Sequence, residues 1–168
     1  MVDLEELIIR EARKQDVEQA AELIVRMKRL NGEFDPLFKV VDDAHERAVT
    51  YLGASMDSPD KFVLVAARGK KILGVLRAEI KDRLFYTPSK EGNLTDFYIL
   101  PEVRRKDVGR EIVVRASEKL KSMGADMIVA EFPAQNEIAV RFYSKRGFRA
   151  LVNIFAKEES NNDEEEGR

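Results

Sequence analysis

Tyr98-Ile99-Leu100-Pro101-Glu102-Val103-Arg104-Arg105-Lys106-Asp107-Val108-Gly109-Arg110-Glu111 compresses a strand, a turn and a helix start into one short stretch. The β-type run stops at Pro101, which cannot donate a ladder hydrogen bond. A basic turn follows, with Arg104, Arg105, Lys106 and Arg110, and an amphipathic helix begins at once. The first N–H groups of a helix have no intrahelical acceptor, and its dipole favours negative charge there. Gly109 lets backbone come close to a ligand. Such a mouth suits an anion, phosphate above all. A solvated basic turn before an ordinary helix is the bland alternative, since short glycine motifs are weak signals.

Periodicity on either side supplies the rest of the fold. Upstream, it predicts a strand at 7–10 and a helix capped by Asp16 and ended by Asn31-Gly32. A loop at 33–41 and a second helix capped by Asp42 or Asp43, running to Met56, come next. A buried strand at 62–67 turns through Arg68-Gly69-Lys70-Lys71 into a strand at 72–80, extended to Phe85. Then come a strand at 94–100, the helix at 108–123, a strand at 127–132, a helix at 137–145 and a closing strand at 148–156. Strands able to pair antiparallel, followed by β-α-β units, predict an α+β domain with a mixed, mostly antiparallel sheet and helices on both faces.

The chain has 168 residues, 44% hydrophobic and 36% charged, enough for one domain with a real core. It contains no cysteine and one histidine, which leaves no thiol nucleophile and argues against a zinc site. No apolar run is long enough to span a membrane, and the acidic start lacks the order of a signal peptide. A cytoplasmic location is the expectation. Residues 158–168 carry net charge −5 and are expected to be a disordered acidic tail, leaving residues 1–157 as the folded domain at +3. That body suits an anionic ligand but is too weakly basic for nucleic acid.

Three segments together resemble the GNAT superfamily of acyl-CoA-dependent N-acetyltransferases. Arg104-Arg105-Lys106-Asp107-Val108-Gly109 is similar to the signature Arg/Gln-x-x-Gly-x-Gly/Ala, and Tyr98-Ile99-Leu100-Pro101 to the run before it. Asn136-Glu137-Ile138-Ala139-Val140-Arg141-Phe142-Tyr143-Ser144-Lys145-Arg146-Gly147-Phe148 follows the pattern Asn-x-x-Ala-x-x-x-Tyr-x-x-x-Gly-Phe. The resemblance covers residues 7 to about 157. It departs at Asp107, where the family places glycine; a carboxylate beside a pyrophosphate is repulsive, so its side chain should turn onto the helix or outward.

The resemblance implies a sheet of six to seven strands, splayed between strands four and five. It implies acetyl transfer from acetyl-CoA to a primary amine, without metal, by direct attack. The acceptor would be a protein N-terminus, a lysine, a polyamine or another small amine. Arg104, Arg105, Lys106, Asp107, Val108, Gly109 and Arg110 would cradle the pyrophosphate. Ile99 and Leu100, on the splayed strand, would meet the pantetheine arm and supply the oxyanion N–H at the strand's bulge. Asn136 would cap its helix or bind pantetheine. Tyr143 would give its proton to the departing thiolate, or else be a core aromatic. Asp96, placed by alternation on the Leu94/Tyr98/Leu100 face, and Glu131 are the acidic candidates for deprotonating the amine. Phe34, Phe38, Phe85 and Tyr86 would wall an acceptor pocket or be core contacts. A non-catalytic acetyl-CoA-binding regulator is the competing reading. Neither membrane nor nucleic acid is implied as a partner, and the sequence leaves open a monomer or a homodimer.

Overall fold

The computed structural model describes residues 6–159. The expected acidic tail, from residue 160 onward, lies outside them. Residues up to Glu137 form one compact unit and those from Ile138 a second, smaller one.

The larger unit is built on a five-stranded sheet in the order β1-β2-β3-β4-β5, with β1 (Leu7–Glu11), β2 (Lys61–Arg68), β3 (Lys71–Asp82), β4 (Lys90–Ile99) and β5 (Met127–Ala130). The first four strands pair antiparallel, and β5 joins β4 in parallel. Helices α1 (Val17–Phe34) and α2 (Ala44–Met56) precede β2, and α3 (Val108–Ser122) links β4 to β5. The run Phe62-Val63-Leu64-Val65-Ala66-Ala67 is buried throughout because the sheet is covered on both faces. Arg77 of β3 meets Ser55 of α2, while a Cβ on Gly92 of β4 would strike Leu120 of α3 on the other face.

Asp16 precedes α1, as its type suggested, but its carboxylate makes no bond to the helix. It takes two bonds from the Arg10 guanidinium, at 2.6 and 3.2 Å, and one from the Arg13 N–H at 2.7 Å. Asp16 is 3% exposed, so this pair ties β1 to the start of α1. Burial pushes its carboxyl up, but Arg10 and the Arg13 N–H outweigh this and hold it below the usual range. Asp16→Asn should therefore cost about 3 kcal/mol in urea unfolding at pH 7, from one partner of a buried pair being lost. A depressed folded value gives stability that is complete above the ordinary aspartate pKa of about 3.9 and disappears as pH falls through the folded value. The deficit of the variant should accordingly shrink at pH 3.

α1 continues past Asn31-Gly32 to Phe34, where extended Asp35 (φ −156°, ψ 134°) and Pro36 end it. Gly32 serves close approach, not termination: a Cβ there would lie 3.1 Å from the Phe38 carbonyl oxygen. β4 begins earlier than the alternation suggested, and β5 ends at Ala130, before Glu131 and Phe132.

The helix α4 (Glu137–Ser144), which from Ile138 onward belongs to the smaller unit, ends in a glycine cap. Gly147 has φ 85°; its N–H donates to the Ser144 carbonyl (3.2 Å), and the Phe148 N–H donates to the Tyr143 carbonyl (3.1 Å). This is the Schellman pattern, completed by ring contact between Tyr143 and Phe148, with centroids 5.1 Å apart. It explains the spacing Tyr-x-x-x-Gly-Phe physically.

The expected closing strand at 148–156 does not form, so the described residues hold five strands, not six or seven. Leu151, Val152, Ile154 and Phe155 are 51–92% exposed. A short apolar run acquires strand structure only through a hydrogen-bonded neighbour, and among the described residues no strand pairs with this one.

Candidate active site

β4 and β5 part company within the sheet. Their ladder runs from Glu91↔Met127 to Leu94↔Ala130 and stops, while β4 continues past it to Ile99. At the same level β4 carries a bulge: Arg77 pairs with Asp96 and Ala78 with Leu94, so Thr95 is the extra residue. The irregularity thus lies at Thr95, several residues before Ile99. Leu100 donates its N–H to the Leu73 carbonyl of β3 (2.9 Å). By alternation the Ile99 N–H turns the opposite way, toward the side β5 has left. Ile99, rather than Leu100, presents an amide there.

Leu100 leads into a 3-10 turn, Pro101–Lys106, then Asp107 and α3. Val103 and Val108, each 2% exposed, anchor the turn from below. The first bond of α3 runs from the Glu111 N–H to the Asp107 carbonyl (3.0 Å), so the N–H groups of Val108, Gly109 and Arg110 are first-turn donors with no acceptor inside the helix. Arg104 folds back, donating Nε–H to the Ile99 carbonyl (2.9 Å) with its guanidinium over the Tyr98 ring. Arg110 is exposed; the side chains of Arg105 and Lys106 lie outside the described residues.

Asp107 stands at φ 56°, ψ 16°, the left-handed region. That geometry is the reason a glycine would serve at this position and why aspartate, among non-glycine residues, is tolerated. Its side chain is exposed and makes no bond to the helix start, so it turns outward.

Asp96 is 3% exposed and fully engaged. Lys28 Nζ of α1 lies 2.8 Å from Oδ1, and the Tyr51 hydroxyl of α2 donates to Oδ2 at 2.6 Å. Arg77 donates to Ser55 (2.7 Å), Thr95 (2.9 Å) and Glu79 (3.1 Å), with its guanidinium 4.2 Å from the Tyr51 ring centre. Burial pushes the Asp96 carboxyl up, but Lys28, Tyr51 and Thr95 outweigh it and hold the group below the usual range. The Tyr51 phenol is raised by burial and by the Asp96 charge. Alternation had grouped Asp96 with Leu94; the bulge overturns this, because Asp96 shares the α1/α2 face with Thr95 while Leu94, two residues from Gly92, faces α3. The buried cluster was missed in the sequence: Lys28, Tyr51, Ser55 and Arg77 are scattered singly, and only Arg77 within an apolar strand hinted at it.

Glu131 is exposed just beyond β5. Asn136 sits immediately before α4, the capping position. Tyr143 is 8% exposed, edge-on to Phe142 (5.0 Å) and packed on Phe148. Burial raises its phenol, with the Arg146 charge opposing, so it stays protonated through the physiological range. Phe38, Phe85 and Tyr86 are 45%, 84% and 67% exposed and are not core contacts.

The β4 edge beyond Leu94, the turn and the helix mouth follow one another directly along the chain. The model of the Acetyltransferase (GNAT) family matches residues 9–148, and the chain belongs to this family. No curated protein sequence matches it. Among solved structures it is similar to a transcriptional regulator from Bacillus halodurans (22% identity, TM-score 0.72, covering 92% of this chain and 100% of that one). It is also similar to an aminoglycoside 6'-N-acetyltransferase from Acinetobacter haemolyticus (18%, 0.70, 91% and 99%). A third is an aminoglycoside N-acetyltransferase solved in complex with CoA (16%, 0.67, 92% and 95%). At these identities the likeness establishes the fold.

Proposed function

We propose that this protein transfers the acetyl group of acetyl-CoA to a primary amine by direct attack. The observation that carries the reading is the parting of β4 from β5 beyond Leu94, next to a helix mouth whose first-turn N–H groups have no acceptor inside the helix. A pantetheine arm carries amides that pair with an exposed strand edge as a peptide does, and the Ile99 edge suits it. The N–H groups of Val108, Gly109 and Arg110 suit the pyrophosphate.

In the reaction the amine nitrogen bonds to the thioester carbonyl carbon, and the carbon–sulfur bond breaks. Negative charge on the carbonyl oxygen is met by a β4 backbone N–H. The Tyr143 phenol gives its proton to the departing thiolate, and the attacking nitrogen loses one to base or water. The chain has no cysteine to carry an acyl group, which favours direct transfer. The acceptor is a protein N-terminus, a lysine, a polyamine or another small amine; similarity to enzymes named for aminoglycosides adds that class to the panel. We place the reaction in the cytoplasm.

Thiol release from acetyl-CoA, measured across that panel, tests the reading. Release that depends on one class of amine supports it. Tight acetyl-CoA binding without release for any amine would instead favour a regulator. Asp107→Gly bears on the cradle: it relieves left-handed strain of roughly 1 kcal/mol while adding chain entropy of similar size. Stability should change by less than about 1 kcal/mol, and acetyl-CoA should bind as tightly or tighter. A large loss of affinity in a calorimetric titration would give the Asp107 carboxylate a structural duty.

A further inference from the structure

Asp96 and Thr95 are adjacent in the chain yet both face α1 and α2, because the bulge sets them on one side. Around them the groups are paired. Lys28 from α1 and the Tyr51 hydroxyl from α2 hold the two Asp96 oxygens. Thr95 Oγ1 accepts from Arg77 Nη1 and lies within bonding distance of both Asp96 Oδ2 (2.9 Å) and the Arg77 carbonyl (3.2 Å). Arg77, 4% exposed, is completed by Ser55 and by Glu79, which Lys81 also approaches at 3.5 Å. A buried network with its charges matched fixes a geometry more than it offers a reactive group.

What it fixes is the point where β4 loses β5. From Thr95 to Ile99 the strand has no partner in β5, and a bulge is a locally interrupted ladder. We propose that Asp96 is a positioning residue: with Thr95 and Arg77 it clamps the β4 bulge from the α1/α2 side and so aims the open edge at Ile99, and it does not take the acceptor's proton. This rests on the acetyl-transfer reading for its consequence, but the clamp itself is a property of the free protein. A carboxylate held by an ammonium and a phenol, well below neutrality, is also a weak base by its surroundings.

Two readouts test it in the full-length protein: amide hydrogen exchange of the segment 96–100, followed by mass spectrometry, and steady-state turnover against pH with the best acceptor. Asp96→Asn keeps an oxygen for Tyr51 and Thr95 and should retain turnover within about tenfold of wild type, with the acidic limb of kcat/KM in place. Asp96→Ala and the milder Thr95→Val should both speed exchange across 96–100. They should lower kcat, by roughly 100-fold for Asp96→Ala, again with the acidic limb unmoved. Equal loss in Asp96→Asn and Asp96→Ala, with the acidic limb abolished and exchange unchanged, would make Asp96 the base and overturn the proposal. If no amine is acetylated at all, the acetyl-transfer reading fails by itself. Exchange still decides the clamp: faster in Thr95→Val upholds it, unchanged overturns it. Should Asp96→Ala not fold, Thr95→Val carries the same decision.

Discussion

Tyr143→Phe should lower kcat/KM by roughly 100-fold or more while leaving the dissociation constant of acetyl-CoA within about threefold of wild type. The substitution removes only the hydroxyl. The ring contacts with Phe142 and Phe148, and the Schellman cap through Gly147, depend on the ring and backbone and survive it. The variant should therefore fold, which a cooperative melting transition checks. Because burial keeps the phenol protonated, Tyr143 should add no limb to the rate profile between pH 6 and about 9, below the ordinary tyrosine pKa near 10. Rapid-quench turnover beside calorimetric titration separates the two parameters. Equal loss of rate and affinity in a folded variant would return Tyr143 to a packing role.

Gly109→Glu should split stability from binding in the other sense. Position 109 lies in the first turn of α3, where an acidic side chain favours the helix dipole, so melting temperature should hold or rise. The same carboxylate occupies the mouth proposed for the pyrophosphate, with like charge and added bulk. Acetyl-CoA affinity should fall by roughly 100-fold, on the order of 3 kcal/mol. An unchanged affinity would remove this helix start from the cradle.

How far the sequence carried the reading depends on which force sets each element. The strand–turn–helix at 98–111 was legible because proline, a basic turn and helical periodicity are local signals. The glycine cap of α4 was legible for the same reason: a left-handed residue and an apolar return are written into adjacent positions. Both helix ends near Gly32 and Asp16 were misread in detail. Gly32 is set by the nearby Phe38 backbone, and Asp16 spends its oxygens on Arg10. The resemblance implied a bulge on β4, but its place at Thr95 was hidden because strict alternation has no term for an inserted residue, and one such residue moved Asp96 to the other face from Leu94. The absent closing strand shows the same limit, since Leu151 to Phe155 look strand-like and only a neighbour makes a strand.

Direct acetyl transfer from acetyl-CoA to an amine leaves an isotopic signature on the amine alone. Acetyl-CoA deuterated in the acetyl methyl, incubated with the protein and with the amine that gives the fastest thiol release, tests it by mass spectrometry of both protein and amine. Direct transfer predicts one labelled acetyl on the amine nitrogen for each CoA released, and an unlabelled protein when the amine is omitted. Label that accumulates on the protein and then chases to the amine, or CoA release with no label on any amine, would contradict it.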